Sequence, residues 1–187
     1  PNDASVGDLD GDGEYEIVLK WEPSNQRDNA SAGISAPQII DAYKLDGTRL
    51  WRINLGRNIR SGPHYTQFIV ADLDGDGKAE VACKTADGTV DGVGTVIGDA
   101  ARDYRSLLTP TDGLITTTTG NPEVRFGKIL AGPEYFTVFD GPTGRALATT
   151  SYIPSRDPLG GWGGIGGNGN SDSNGNRGDR MLAGVAY

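Results

Sequence analysis

Two stretches of the chain place carboxylates and glycines identically: Asp8-Leu-Asp10-Gly-Asp12-Gly-Glu14-Tyr-Glu16 and Asp72-Leu-Asp74-Gly-Asp76-Gly-Lys78-Ala-Glu80. Each has Asp at loop positions 1, 3 and 5, a backbone carbonyl on offer at position 7 (Glu14 or Lys78), and Glu16 or Glu80 at position 9. Alternate residues of a tight turn can face one point, and Gly11, Gly13, Gly75 and Gly77 accept positive φ without a Cβ penalty. Three carboxylates within five residues repel one another unless a cation compensates. A hard ion that takes six to eight oxygens suits such a set, so the pattern predicts two calcium sites. A solvated Asp-Gly turn would explain one copy; two fully populated copies favour the ion.

An EF-hand is excluded. Position 12 of the loop is Leu19 or Cys83 rather than a bidentate Glu, and no helix follows. Instead Tyr15, Ile17, Leu19 and Trp21 alternate with Glu16, Val18, Lys20 and Glu22, a period-two pattern that predicts a strand with one buried, apolar face. Residues 65–71, ahead of the second loop, are also rich in strand formers. The acidic loop is thus expected to be the turn of a calcium-clamped β-hairpin.

The repeat extends past the acids at an offset of 64 residues, pairing Ile17 with Val81, Leu19 with Cys83 and Lys20 with Lys84. Strand patterns at 38–45 and 49–55, around Asp46-Gly47, complete a four-stranded meander; 135–140 and 145–152 complete the second. Four-strand units in series predict an all-β chain of the β-propeller kind, with a β-sandwich as the alternative. On that reading blade one covers roughly 1–57 and blade two roughly 64–155 with an inserted loop at 89–132. A Gly-rich loop follows at 158–178, and 179–187 begins a third blade. Two blades and a start cannot close a ring, so the chain is expected to be a fragment of a larger protein.

The bulk composition narrows the function classes. Gly (29) and Pro (10) are abundant and the net charge is −8, which argues against nucleic acid, whose phosphates need a basic footprint. Two calcium ions would bring that charge to about −4. No apolar run approaches the roughly 18 residues of a membrane span. Cys83 is alone, so no intrachain disulfide is possible, and its apolar strand position predicts a buried, inert thiol. The chain opens on Pro1, so a missing leader carries no information. Gly164-Ile-Gly-Gly-Asn-Gly169 matches a dinucleotide fingerprint as a string but neither follows a strand nor opens a helix, and is set aside.

Longer strings carry a family resemblance. Asn2 to Trp21, Asp41-Ala-Tyr-Lys-Leu-Asp-Gly47, Leu50-Trp-Arg-Ile-Asn-Leu-Gly56, His64-Tyr-Thr-Gln-Phe68, Lys84-Thr-Ala-Asp-Gly-Thr89, Val96-Ile-Gly-Asp-Ala100, Gly132-Pro-Glu-Tyr135, Gly175-Asn-Arg177 and Asp179-Arg180 resemble the rhamnogalacturonan lyases of the eight-bladed, calcium-rich propeller type. The resemblance implies a secreted enzyme, monomeric at full length, that cuts the galacturonate–rhamnose backbone of pectin by β-elimination with calcium. Such chemistry must neutralise the uronate carboxylate, remove the proton on C5 and support departure of the leaving group at C4.

Lys84 and His64 are the candidate catalytic residues. Lys84 offers a base or a carboxylate partner, but Lys20 stands at the equivalent repeat position and suggests a structural duty. His64 fits a metal or substrate role, or a hydrogen-bonded loop role. Arg177 and Arg180 are candidate partners for uronate carboxylates, with ordinary salt bridging as the alternative. The resemblance further implies that Asn2 and position 22 bind sugar, Glu22 standing where the family usually has Asp, and that Asp3 lends an oxygen to the first calcium. Asp87, Thr89 and Asp91 could form a third calcium site or a surface turn. Ser106 to Phe126 looks like an insertion, and 160–174 is longer and richer in glycine than the family pattern; both fall in loops, where clefts are built. The competing function is a non-catalytic calcium-clamped module for adhesion or carbohydrate binding.

Overall fold

The computed structural model describes residues 3–29, 31–107, 114–116, 122–155 and 177–186, with no side-chain description at 114–116, 122–124 and 177. β1 (Asp3–Gly7), β2 (Glu16–Trp21), β3 (Ile39–Tyr43) and β4 (Arg49–Asn54) form an antiparallel meander, as the alternation predicts. β5 (Phe68–Ala71), β6 (Glu80–Ala86), β11 (Glu134–Phe139) and β12 (Ala146–Ser151) form the second. Between them run β7 (Thr89–Val90), β8 (Val96–Ile97) and the small β9 (Leu114–Thr116)–β10 (Pro122–Val124) hairpin.

The 64-residue offset is physical. Ile17 pairs with Tyr43 and Val81 with Phe139, so each meander sets the same register. Both carry an irregularity at the equivalent step, between Ala42 and Tyr43 and between Val138 and Phe139.

The propeller expectation is corrected by the sheets. Among the described residues a six-stranded and a four-stranded antiparallel sheet share a common core, a sandwich-like arrangement, beside the two-stranded β9–β10 hairpin, and no sheet closes on itself. The first sheet is six-stranded, because β7 and β8 extend its edge in the order β1-β2-β3-β4-β7-β8, so the segment assigned to the second blade's insertion partly belongs to the first sheet. Residues 180–186, expected to begin a third unit, form no strand and follow a single 3-10 turn at Arg177–Asp179.

The shared core joins Val18, Ile40, Trp51, Ile53 and Leu55 of the first sheet side to Val81, Cys83 and Phe139 of the second. Trp51 Nε1 donates to the Gly141 carbonyl at 2.7 Å, tying β4 to the turn after β11. Gly141 must be glycine: a Cβ there would stand 2.2 Å from the Ala79 carbonyl oxygen and 2.5 Å from that of Leu9. Burial pushes the Cys83 thiol up to about 12, so it packs as an inert apolar group, as expected.

β2 keeps the expected period but reverses the expected face. Glu16, Val18 and Lys20 are the buried residues, whereas Ile17, Leu19 and Trp21 are half-buried and Tyr15 is exposed. The charged residues are tolerated inside because each has a partner: Glu16 Oε2 accepts the Leu9 N–H at 2.8 Å, and Lys20 Nζ donates to the Tyr65 carbonyl at 2.9 Å.

Candidate active site and metal loops

The two acidic loops repeat bond for bond. Asp8 accepts from the N–H groups of Gly11 and Gly13, and Asp72 from those of Gly75 and Gly77. Asp10 caps Asp12 and Asp12 caps Glu14; Asp74 caps Asp76 and Asp76 caps Lys78. Glu80 Oε2 accepts the Leu73 N–H at 2.8 Å, matching Glu16 and Leu9. The four loop glycines lie at φ +80 to +92, the left-handed turns that bring the aspartates round. Carboxylate oxygens of Asp8, Asp10 and Glu16 lie within 4.8 Å of one another, as do those of Asp72, Asp74 and Glu80. An all-carboxylate set at that spacing fits a hard divalent cation, with the carbonyls of Glu14 and Lys78 as further donors in the expected scheme. Burial, together with Asp72, Asp74 and Asp76, pushes the Glu80 carboxyl above its ordinary range, a cost that a cation would reverse. Asp12 and Asp76 stand outside the two closest triplets. Lys44 reaches into the first loop, 2.8 Å from Asp10 and 3.2 Å from Asp12.

The other expected metal ligands stand apart from the two triplets. Asp3 pairs with Lys20 across β1 and β2, with its carboxylate 3.6 Å from Nζ. Five strand steps separate it from Asp8, roughly 16 Å. The third set is hydrogen-bonded within the protein. Asp87 accepts from the Tyr104 and Tyr135 hydroxyls and the Asp99 N–H, Thr89 donates to the Leu55 carbonyl, and Asp91 accepts from the N–H groups of Val93, Thr95 and Ala146. Those carboxylates act as loop struts, satisfying backbone that would otherwise be unpaired.

Because β2 and β6 run away from the loops, their other ends carry a different cluster. Lys84 is four residues beyond Glu80, so it stands at that far end rather than beside the loop. Its ammonium is buried, 3.1 Å from Glu134 and 3.5 Å from Asp179, with the Tyr152 ring centroid at 4.9 Å. It also donates to the Gly178 carbonyl. Asn29 Nδ2 donates to the other Asp179 oxygen at 2.8 Å, which binds the loop after β2 to the C-terminal segment.

One step along, His64 Nδ1 lies 2.9 Å from Asp28 Oδ2, and Arg180 Nη2 lies 3.0 Å from the same oxygen. The imidazole is 58% exposed, whereas Asp28 is largely covered. Glu22 belongs to this cluster: burial raises its carboxyl above the ordinary range, Lys20 and His64 lower it and Asp28 raises it. Its Oε1 is buried without a hydrogen-bond partner among the described residues. The structure therefore brings His64, Arg180 and Glu22 to one end of the hairpins and Lys84 beside them. Asn2 lies outside the described residues, as does most of 158–178, and of Arg177 only the backbone, in the 3-10 turn, is described.

Sequence reasoning missed Asp28, Asn29, Arg60 and Tyr65, which build the floor. The Tyr65 hydroxyl accepts the Asn29 N–H at 2.7 Å, and Arg60 Nη1 donates to the carbonyls of Gly33 and Gly127. Asp28 and Asn29 lie in a polar loop with no period, so only their distant partners mark them. Thr66, at φ +54, is the non-glycine residue with positive φ among those described, a strained conformation held beside this cluster.

Comparison with known proteins identifies the family. The profile of the family described as "Rhamnogalacturonan lyase family 11, C-terminal domain" matches residues 1–187. The chain is 58% identical over 186 residues to the rhamnogalacturonan exolyase YesX of Bacillus subtilis, and 56% identical to the endolyase YesW of the same organism. Each match covers 100% of this chain and 26% of the relative, so the chain spans about a quarter of the length of the curated relatives it matches. The crystal structure of exotype rhamnogalacturonan lyase YesX superposes with a TM-score of 0.77 at 57% identity, covering 94% of this chain and 25% of that one. The Bacillus licheniformis rhamnogalacturonan lyase PL11 gives 0.76 at 57% identity, over 89% of this chain and 26% of that one. The chain belongs to rhamnogalacturonan lyase family 11, whose C-terminal-domain profile it matches from end to end.

Proposed function

We propose that this chain is the site-bearing part of an extracellular lyase that cleaves the galacturonate–rhamnose backbone of pectin by β-elimination. The carrying observation is the identity of 56–58% along the whole chain to an exolyase and an endolyase of rhamnogalacturonan. The His64–Asp28–Arg180–Glu22 cluster supplies groups of the kinds that the reaction needs.

His64 Nε2 takes the proton from C5 of galacturonate; the C5–H electrons become the C4–C5 double bond, and the bond from C4 to the glycosidic oxygen breaks. The departing oxygen takes a proton from water. Arg180 faces the uronate carboxylate, whose charge must be offset for the C5 proton to become acidic. Glu22, with its orphaned oxygen, receives a sugar hydroxyl. Lys84 holds Glu134 and Asp179 in place instead of acting as the base. Asp8, Asp10 and Glu16, with Asp72, Asp74 and Glu80, would hold calcium, which when bound supplies charge that draws each set of carboxylates together. The ions act at the opposite end of the hairpins, so they fasten the strands that carry the cluster. A chelator is expected to lower activity through loss of that fastening.

The experiment is digestion of rhamnogalacturonan by the full-length protein, followed by absorbance of the unsaturated uronate, with and without chelator. Unsaturated ends that grow with time support the reading. Saturated products, or none, reject it.

A further inference from the structure

We propose that Asp28 is the positioning residue for His64, fixing the imidazole tautomer so that Nε2 presents its lone pair outward. The inference rests on the lyase reading and deepens it.

An ionised carboxylate can only accept hydrogen bonds. With Asp28 Oδ2 2.9 Å from Nδ1 and 3.0 Å from Arg180, an ionised Asp28 requires the proton on Nδ1, and in the neutral ring that leaves the lone pair on Nε2. Nε2 makes no hydrogen bond among the described residues, and the ring is 58% exposed. A base oriented by a largely covered acid and open on its other nitrogen is an arrangement suited to proton abstraction.

The rest of the loop serves this contact. Arg27 N–H donates to the Ser61 carbonyl at 2.8 Å, fastening the segment bearing Asp28 to the one bearing His64. Arg60 Nη2 lies 3.5 Å from the Asp28 carbonyl oxygen. Gly62 makes room: a Cβ there would stand 2.2 Å from Asp28 Oδ1. Gly62 has no positive φ to explain it; it leaves space for the carboxylate and for the Tyr65 ring, 2.9 Å from the same Cβ position. Among the described residues the charged groups around the ring are Asp28, Arg180 and Glu22, with Lys20 holding the neighbouring Tyr65 carbonyl.

The test uses the full-length protein with Asp28→Asn, His64→Gln and the double variant, read by kcat, KM and the ring nitrogen-15 signals of His64. The signals are assigned as those lost in His64→Gln. Wild type is expected to show the tautomer protonated at Nδ1. Asp28→Asn is expected to lose that signature and lower kcat by about 10²- to 10⁴-fold with KM changed little, and the double variant to fall no further than His64→Gln, as residues acting as a unit do. An Nε2-protonated ring in wild type overturns the proposal. So does an Asp28→Asn enzyme that keeps kcat while His64→Gln loses it; the lyase reading then survives. A wild type that makes no unsaturated product removes the lyase reading itself.

Discussion

Lys44 Nζ stands 2.8 Å from Asp10 Oδ2, while the equivalent position of the second sheet holds a carboxylate, Asp140. The equivalence follows from register, since Tyr43 opposite Ile17 and Phe139 opposite Val81 are matched, and Lys44 and Asp140 come next. The first loop thus has a cation of its own, and hydrogen bonds to Asp10 and Asp12 hold that ammonium above its usual range. In the second loop Lys78 lays its side chain against Gly11 of the first loop, and no ion pair to Asp72, Asp74 or Asp76 is present among the described residues. Calcium titration is expected to resolve a tighter second loop, abolished by Asp74→Ala. Lys44→Met is expected to strengthen the first loop by a few-fold, an effect that added salt reduces. Equal affinities in both proteins would contradict this.

Removal of a loop carboxylate tests whether the loops bind at all. A ligand at a hundred times its Kd adds about 2.7 kcal/mol, about 5–10 °C in Tm for a chain of this size. Asp10→Ala or Asp74→Ala is expected to remove a shift of that order in calcium. The loss in chelator should be small, because an exposed, mutually repelling set has then lost one charge. Thermal melts of the wild type and both variants, in calcium and in chelator, give the answer.

Asp41 supplies a pH dependence whose sign is fixed. Burial pushes its carboxyl up, but hydrogen bonds from Arg52, at 2.8 and 2.7 Å, and from Tyr43 outweigh that and hold it below the ordinary range. A depressed carboxyl stabilises the fold above its unfolded value, about 4, and loses that contribution as pH falls through the folded value. Asp41→Asn is expected to cost about 1–3 kcal/mol at pH 7. The difference from wild type should shrink below pH 4 in denaturant titrations.

Lys84→Met leaves Glu134 and Asp179 facing each other without their shared ammonium. Breaking a buried ion pair in that way costs about 3–5 kcal/mol. Urea unfolding should show the loss as a lower midpoint at unchanged slope.

The strands, their period and the acidic repeat were legible in the sequence because each is local. The alternation of Tyr15 to Glu22 needs only neighbours, and the loop bonds span seven residues or fewer. The buried face of β2 was not legible, since Glu16 and Lys20 are welcome inside only through Leu9 and Tyr65, and Tyr65 lies 45 residues on. The sheet arrangement escaped for a similar reason: a single register pair, Asn54 with Val90, adds β7 to the first sheet. His64 and Arg180 were visible as residue types, but Asp28, which joins them from 36 and 152 residues away, was not.

The most direct measurement follows the C4–C5 double bond while the full-length wild type and His64→Gln digest rhamnogalacturonan under the same conditions. Unsaturated ends from wild type, falling by at least about 10²-fold in a folded His64→Gln, are the expected result. Wild type that cleaves without unsaturation, or His64→Gln that eliminates at the wild-type rate, would contradict it.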